Sequence, residues 1–219
     1  MHLSFVRFGL SLAAVVSAIL SVMAWYALHR RVWLFFILKP LTTCLILAVA
    51  LLPFARTWST YGGAVVLGLL FSLFGDILLM LPADRFLAGL GSFLLTHLSY
   101  IFAFATAARY AGFPWISIPL VFIGALILWY LWAGLPPRLH GPLAAYVLVI
   151  VTMASLAVYR AALFPRVGTI AAGVGAVLFL SSDAVLAIDR FRRPFRAAQA
   201  VVLGTYFAGQ LLIALSASI

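Results

Sequence analysis

Four ionisable side chains, Lys39, Asp76, His97 and Asp183, stand inside otherwise apolar stretches of this sequence. An Asp or Lys at the centre of a membrane-spanning helix opposes insertion by about 2.5–3.5 kcal/mol, so Lys39, Asp76 and Asp183 together oppose it by up to roughly 8–10 kcal/mol. Residues held against that penalty need a structural or chemical reason. Two carboxyl groups sharing a low-dielectric cavity titrate apart, so that one can donate a proton while the other accepts one. Around a single water, such a pair suits acid-assisted hydrolysis of an ether-like bond without a metal or a covalent intermediate. A lipid presents such a bond at this depth while its phosphate stays at a basic rim.

Each residue also has a plainer reading. Lys39 can snorkel to the headgroups, with Pro40 merely kinking the helix. Asp76 and Asp183 can form structural ion pairs with Lys39 or Arg. His97 can be a hydrogen-bonded core histidine, and Tyr100 and Tyr146 ordinary amphipathic aromatics. Other chemistries are poorly served. His2, His29, His97 and His140 are scattered, with no HExxH, so a zinc hydrolase would have to use Asp76, Asp183 and His97 as ligands. There is no GxSxG; a triad would need Ser92 or Ser182 with His97 and an Asp. No Gly-rich phosphate loop opens a helix. The expectation is therefore a site without metal or cofactor.

The elements that must position these groups are helices. Apolar runs fall near 8–28, 33–52, 61–81, 86–108, 114–133, 142–159, 167–188 and 197–216. Backbone groups in hydrocarbon must pair within the segment, and these runs lack the alternation of barrel strands. Eight spans of about 20 residues use roughly 160 of the 219 residues and leave no room for a separate soluble domain. One all-α, eight-helix transmembrane domain over 1–219 is expected. The first run continues through Trp25 and Tyr26 to His29-Arg30-Arg31, which reads as a membrane span and not as a cleaved signal. At ~1.5 Å per residue from their shared end, Lys39, Asp76, Asp183 and Tyr146 lie about 9–12 Å into the bilayer, with His97, Tyr206 and Gln210 roughly 15–21 Å in. That placement requires a polar cavity open to one face. Gly62, Gly63, Gly68, Gly173 and Gly175 are expected to permit close helix contact.

Composition agrees. The chain is 67% hydrophobic and 8% charged, with a mean hydropathy of +1.23, which excludes both a water-soluble globule and a disordered chain. The net charge of +10 comes from Arg set singly or in short clusters between apolar runs, where lipid phosphates and not nucleic acid are the expected partners. Cys44 is the single cysteine, so neither a disulfide nor a cysteine metal site is available. Eight Arg (30, 31, 85, 138, 190, 192, 193 and 196) fall after spans one, three, five and seven, against five (7, 56, 109, 160 and 166) on the other side. The positive-inside rule then makes the odd-numbered loops cytoplasmic and puts both termini outside. Gly75-Asp76 followed by Asp84-Arg85-Phe86, and Ser182-Asp183 followed by Asp189-Arg190-Phe191, are alike. They raise a four-plus-four parallel repeat as one reading of the architecture.

At these residues the sequence resembles the YhhN family, the lysoplasmalogenases. The resemblance is carried by Lys39-Pro40-Leu41-Thr42, Gly75-Asp76 with Leu79-Met80, and Phe86 through Gly89 with Phe93, His97 and Tyr100. Ser182-Asp183 with Leu186-Ala187 and Phe191, and Tyr206-Phe207 with Gln210, complete it. It implies an eight-helix membrane hydrolase that cleaves the vinyl ether bond of lysoplasmalogen to a fatty aldehyde and a glycerophospho-alcohol. A multi-pass protein of a bacterial inner membrane taking a lysophospholipid from the bilayer is the expectation that follows. Asp76 and Asp183 are then the catalytic pair, with Asp183 taken as acid and Asp76 as base. Lys39 and the rim Arg would hold the phosphate, while His97, Tyr100, Tyr146, Ser182, Tyr206 and Gln210 would position water and the glycerol oxygens. A proton-coupled transporter, or a lipid-binding protein without turnover, would also use intramembrane Asp and Lys.

Overall fold

The computed structural model describes residues 2–26, 32–54, 57, 59–81, 85–106 and 115–217. Eight helices among them are long and apolar enough to cross a membrane, and the chain is an all-α, multi-pass membrane protein. In chain order they are α1 (His2–Tyr26), α2 (Val32–Phe54), α3 (Thr60–Met80), α4 (Phe86–Thr106), α5 (Ile118–Trp132), α6 (His140–Leu163), α7 (Val167–Phe191) and α8 (Ala198–Ser216). His29, Arg30, Arg31, Arg56, Asp84 and Arg109 lie outside the described residues.

Two expected boundaries need correction. α1 begins at His2 and not near residue 8, so Arg7 is inside a helix, where its guanidinium donates to the Leu215 carbonyl of α8 at 2.5 Å. α6 runs past Tyr159 to Leu163 and takes in Arg160, which is 7% exposed and stacks 4.4 Å over the Tyr61 ring. In both places the apolar pattern points to a span ending at an Arg. An aromatic face or a helix-end carbonyl accommodates a guanidinium without breaking the helix.

Seven helices close a ring: α1 packs on α2, α2 on α3, α3 on α4, α4 on α6, α6 on α7, α7 on α8, and α8 returns to α1. α8 also reaches α2 and α3 across the interior. α5 stands outside the ring, held by α6 with lesser contact to α7. The tightest pairs, α3–α4 and α7–α8, depend on glycine. A Cβ on Gly68 would lie 2.3 Å from the Tyr100 ring, and a Cβ on either Gly175 or Gly209 would lie 2.7 Å from the other's carbonyl oxygen. Without a hydrophobic force between helices in lipid, close backbone approach is what holds such pairs. Large apolar side chains on the outside, such as Phe5, Trp129 and Leu148, face the surrounding lipid.

Candidate functional site

α3 carries Asp76 four residues from its C-terminal end, and the ring places α2 and α8 against it. Lys39 and Thr43 are one helical turn apart, so both side chains leave the same face of α2. Lys39 Nζ is 3.1 Å from Asp76 Oδ1. The Thr43 hydroxyl donates to Oδ2 at 2.6 Å, and the Tyr206 hydroxyl of α8 donates to the same oxygen at 2.8 Å. Asp76 has no exposed surface and Lys39 is 7% exposed. Lys39 therefore pairs with Asp76 and does not snorkel to the headgroups. Pro40 lacks an N–H, so the Phe36 carbonyl one turn back has no helical donor; Phe36 and Asp76 line the same cavity.

Asp183, on α7, meets a different set. His97 Nε2 of α4 lies 3.2 Å from Asp183 Oδ2 and 3.0 Å from the Tyr146 hydroxyl of α6. Tyr146 donates a short hydrogen bond to the same Oδ2. Among the described residues Asp183 Oδ1 forms no hydrogen bond. The Asp183 side chain keeps 14% of its surface open. Against the edge-on rings of Tyr146 and Phe179, His97 is enclosed completely, and among the described residues its Nδ1 has no hydrogen-bond partner.

Both carboxyl groups line one cavity of about 340 Å³, together with Lys39, Ser182 and Tyr206. Asp189, Arg190 and Gln199, near the α7 C-terminus and the α8 N-terminus, form its mouth. Arg190 is exposed there, with its guanidinium 4.9 Å over the Phe86 ring. Beyond the cavity lies a closed polar network. Tyr100 donates to Gln210 Oε1 at 2.5 Å, Gln210 Nε2 donates to Ser72 at 2.6 Å, and Ser72 meets Thr96 at 3.1 Å. Tyr100 and Gln210, expected to touch substrate, are fully enclosed in this layer.

A family model for the YhhN family matches residues 34–217. This chain belongs to the YhhN family. A protein named "Uncharacterized membrane protein YhhN" from Escherichia coli O157:H7 is 34% identical over 202 residues, covering 92% of this chain and 95% of that protein. Lysoplasmalogenase TMEM86B of Rattus norvegicus is 31% identical over 208 residues, 93% of this chain and 81% of that protein. Lysoplasmalogenase TMEM86B of Sus scrofa is 37% identical over 152 residues, 68% of this chain and 61% of that protein. No solved structure matches.

For this YhhN-family chain the geometry separates the remaining chemistries. The hydroxyl of Ser182 donates to the Val202 carbonyl at 3.0 Å and that of Ser92 to the Phe71 carbonyl at 2.7 Å, so both serines are tied to backbone and neither to His97. Among the described residues no three His, Cys, Asp or Glu converge as metal ligands; His97 serves Asp183, while Asp76 has its own partners. Sequence reasoning passes over Thr43, Ser72 and Thr96. Thr43 does carry a signal, since it follows Lys39 at the four-residue spacing of a shared helix face. Ser72 and Thr96 carry none, because intrahelical hydroxyls usually bond their own backbone.

Proposed function

We propose that this protein is a lysoplasmalogenase-like hydrolase, cleaving the vinyl ether bond of a lysophospholipid by acid–base chemistry between Asp183 and Asp76. The observation that carries this reading is that two carboxyl groups with unlike surroundings line one cavity; the named activity of the TMEM86 relatives supports it. Around Asp76 an ammonium and two hydroxyls offer only donors, which suits a carboxylate. Asp183 has both donors on Oδ2, leaving Oδ1 to carry the acidic proton toward the cavity.

In this mechanism Asp183 Oδ1 protonates the outer vinyl carbon, and the double-bond electrons form the new C–H bond. The resulting oxocarbenium ion is offset by the Asp76 carboxylate. A water adds to the ether-bearing carbon and gives its proton to the Asp76 carboxylate; as the hemiacetal breaks its C–O bond, Asp76 passes that proton to the departing oxygen and the ionised Asp183 takes the hydroxyl proton, releasing a fatty aldehyde and the glycerophospho-alcohol. One water is consumed and both acids return to their starting states. Lys39 holds the charge on Asp76, and Arg190 at the mouth meets the phosphate. His97 and Tyr146 fix the orientation of Asp183.

An enzyme of this kind needs a cavity closed at one end, and Tyr100, Phe104 and Phe179 beyond the cavity are fully buried. Incubating the purified protein with a lysoplasmalogen and with a plain lysophospholipid tests the reading. Free aldehyde from the first alone is expected; fatty acid released from the second, or no aldehyde, overturns it. The Arg bias further supports a cavity mouth facing the cytoplasm. A reporter fused after Ile219 should then lie outside the cytoplasm, and a cytoplasmic reporter inverts that orientation.

A further inference from the structure

Asp183 borders two spaces. Besides the polar cavity it lines an apolar slot of about 50 Å³ between α3, α4, α5, α6 and α7, in which, among the described residues, Asp183 and Tyr146 bear the only polar side chains. Leu79, Phe86, Phe93 and Leu186 line both spaces and form the wall between them. An apolar cavity of about 150 Å³ holds one benzene, so the slot can enclose only the first few carbons of an aliphatic chain.

A single layer of residues separates the slot from the lipid side. Gly124, Val147 and Val151 also line a groove of about 780 Å³ between α5 and α6, whose borders Val121, Phe122 and Leu148 are exposed to the lipid side. Gly124 closes that layer by packing directly on α6, since a Cβ there would lie 2.4 Å from Val151 Cγ2 and 3.6 Å from Val147 Cγ1; with no side chain of its own it is also the thinnest point of the layer. α5 stands outside the ring and is the least restrained wall of both spaces.

We propose that α5 shifts off α6 at Gly124 to admit the aliphatic chain of the lipid, which runs sideways from Asp183 through the slot, passes Gly124, and lies for most of its length in the α5–α6 groove. The chain then never leaves hydrocarbon while its headgroup occupies the polar cavity, and an aldehyde product slides out along the same groove. This rests on the reading of the Asp183 site as one that takes a single-chain lipid. It makes Gly124 and Val151 determinants of chain shape, with little selection for length beyond the slot.

Photolabelling of the wild-type protein tests the route. A lysophosphatidylcholine bearing a diazirine at its chain terminus should label the groove, at residues such as Val121, Leu148 and Thr152, and excess unlabelled lysophosphatidylcholine should suppress that label. With the diazirine on the third carbon the label should move to Leu143 or Leu180 in the slot. Gly124→Leu should abolish the groove label and lower the ratio of kcat/KM for a sixteen-carbon over a six-carbon substrate at least tenfold, where Val151→Ala should not. Terminal label confined to the slot, or spread evenly over all lipid-facing helices, overturns the route. Labelling needs no turnover, so groove label without aldehyde release retires the hydrolase and keeps the route, whereas aldehyde release with label elsewhere does the reverse.

Discussion

Around Asp76 two hydroxyls hold one oxygen and the Lys39 ammonium pairs with the other, with the carboxyl buried; around Asp183 two groups from two other helices converge on one oxygen and leave the second to the cavity. On the mechanism proposed above, the first arrangement suits the base and the second the acid. Both use a tyrosine hydroxyl, yet Tyr206 shares Asp76 with Thr43 and the Lys39 ammonium, whereas among the described residues Tyr146 shares Asp183 with His97 alone. An intramembrane acid is thus defined by how many of its lone pairs the protein occupies, and two acids in one cavity need not be equivalent.

The largest effects should come from the acids themselves. Asp183→Asn and Asp76→Asn are each expected to lower aldehyde release at least a hundredfold, the scale of general acid–base catalysis. Their stabilities should differ, because Asp76→Asn strands the enclosed Lys39 ammonium, a change that typically destabilises by about 3–5 kcal/mol. Thermal unfolding in detergent checks this. Equal midpoints for the two variants would erase the contrast between the sites. Near-normal turnover in both would remove the mechanism.

A second test separates the two cations. Lys39→Met should lower kcat by more than tenfold with little change in KM, since the lysine acts on Asp76. Arg190→Gln should raise KM several-fold at nearly constant kcat, because phosphate binding is much the same in ground and transition states. The reverse pattern would make Lys39 the phosphate ligand. The smallest effects belong to the hydroxyls. Hydrogen bonds to charged groups contribute about 1.5–3 kcal/mol, so Tyr146→Phe should lower kcat about tenfold or more. Tyr206→Phe should lower it only a few-fold, because Lys39 and Thr43 remain on Asp76. Equal losses would show that donor number does not set the difference.

Much of this architecture is legible in the sequence alone. The eight spans follow from composition, and the shared depth of Lys39, Asp76, Asp183 and Tyr146 follows from the rise of a helix. Helix adjacency is not legible: nothing in the apolar pattern of α5 says that it lies outside a ring of seven. For that reason the enclosure of Gln210 and Tyr100 away from the cavity does not follow from their depth. Arg160 deceives a reading that treats charge as a boundary, because the Tyr61 ring accepts it inside.

The ring also bears on the order in which the chain is made. Helices enter the bilayer from the N-terminal end. Lys39 on α2 is already present when α3 brings in Asp76, and His97 on α4 and Tyr146 on α6 precede α7, which carries Asp183. Each acid therefore arrives at a partner synthesised before it. Tyr206, on α8, comes last and reaches back to Asp76 on α3, while α8 closes the ring against α1. A ribosome stalled before α8 would hold both acids already chaperoned by their own neighbours, with the closing hydroxyl still to be delivered.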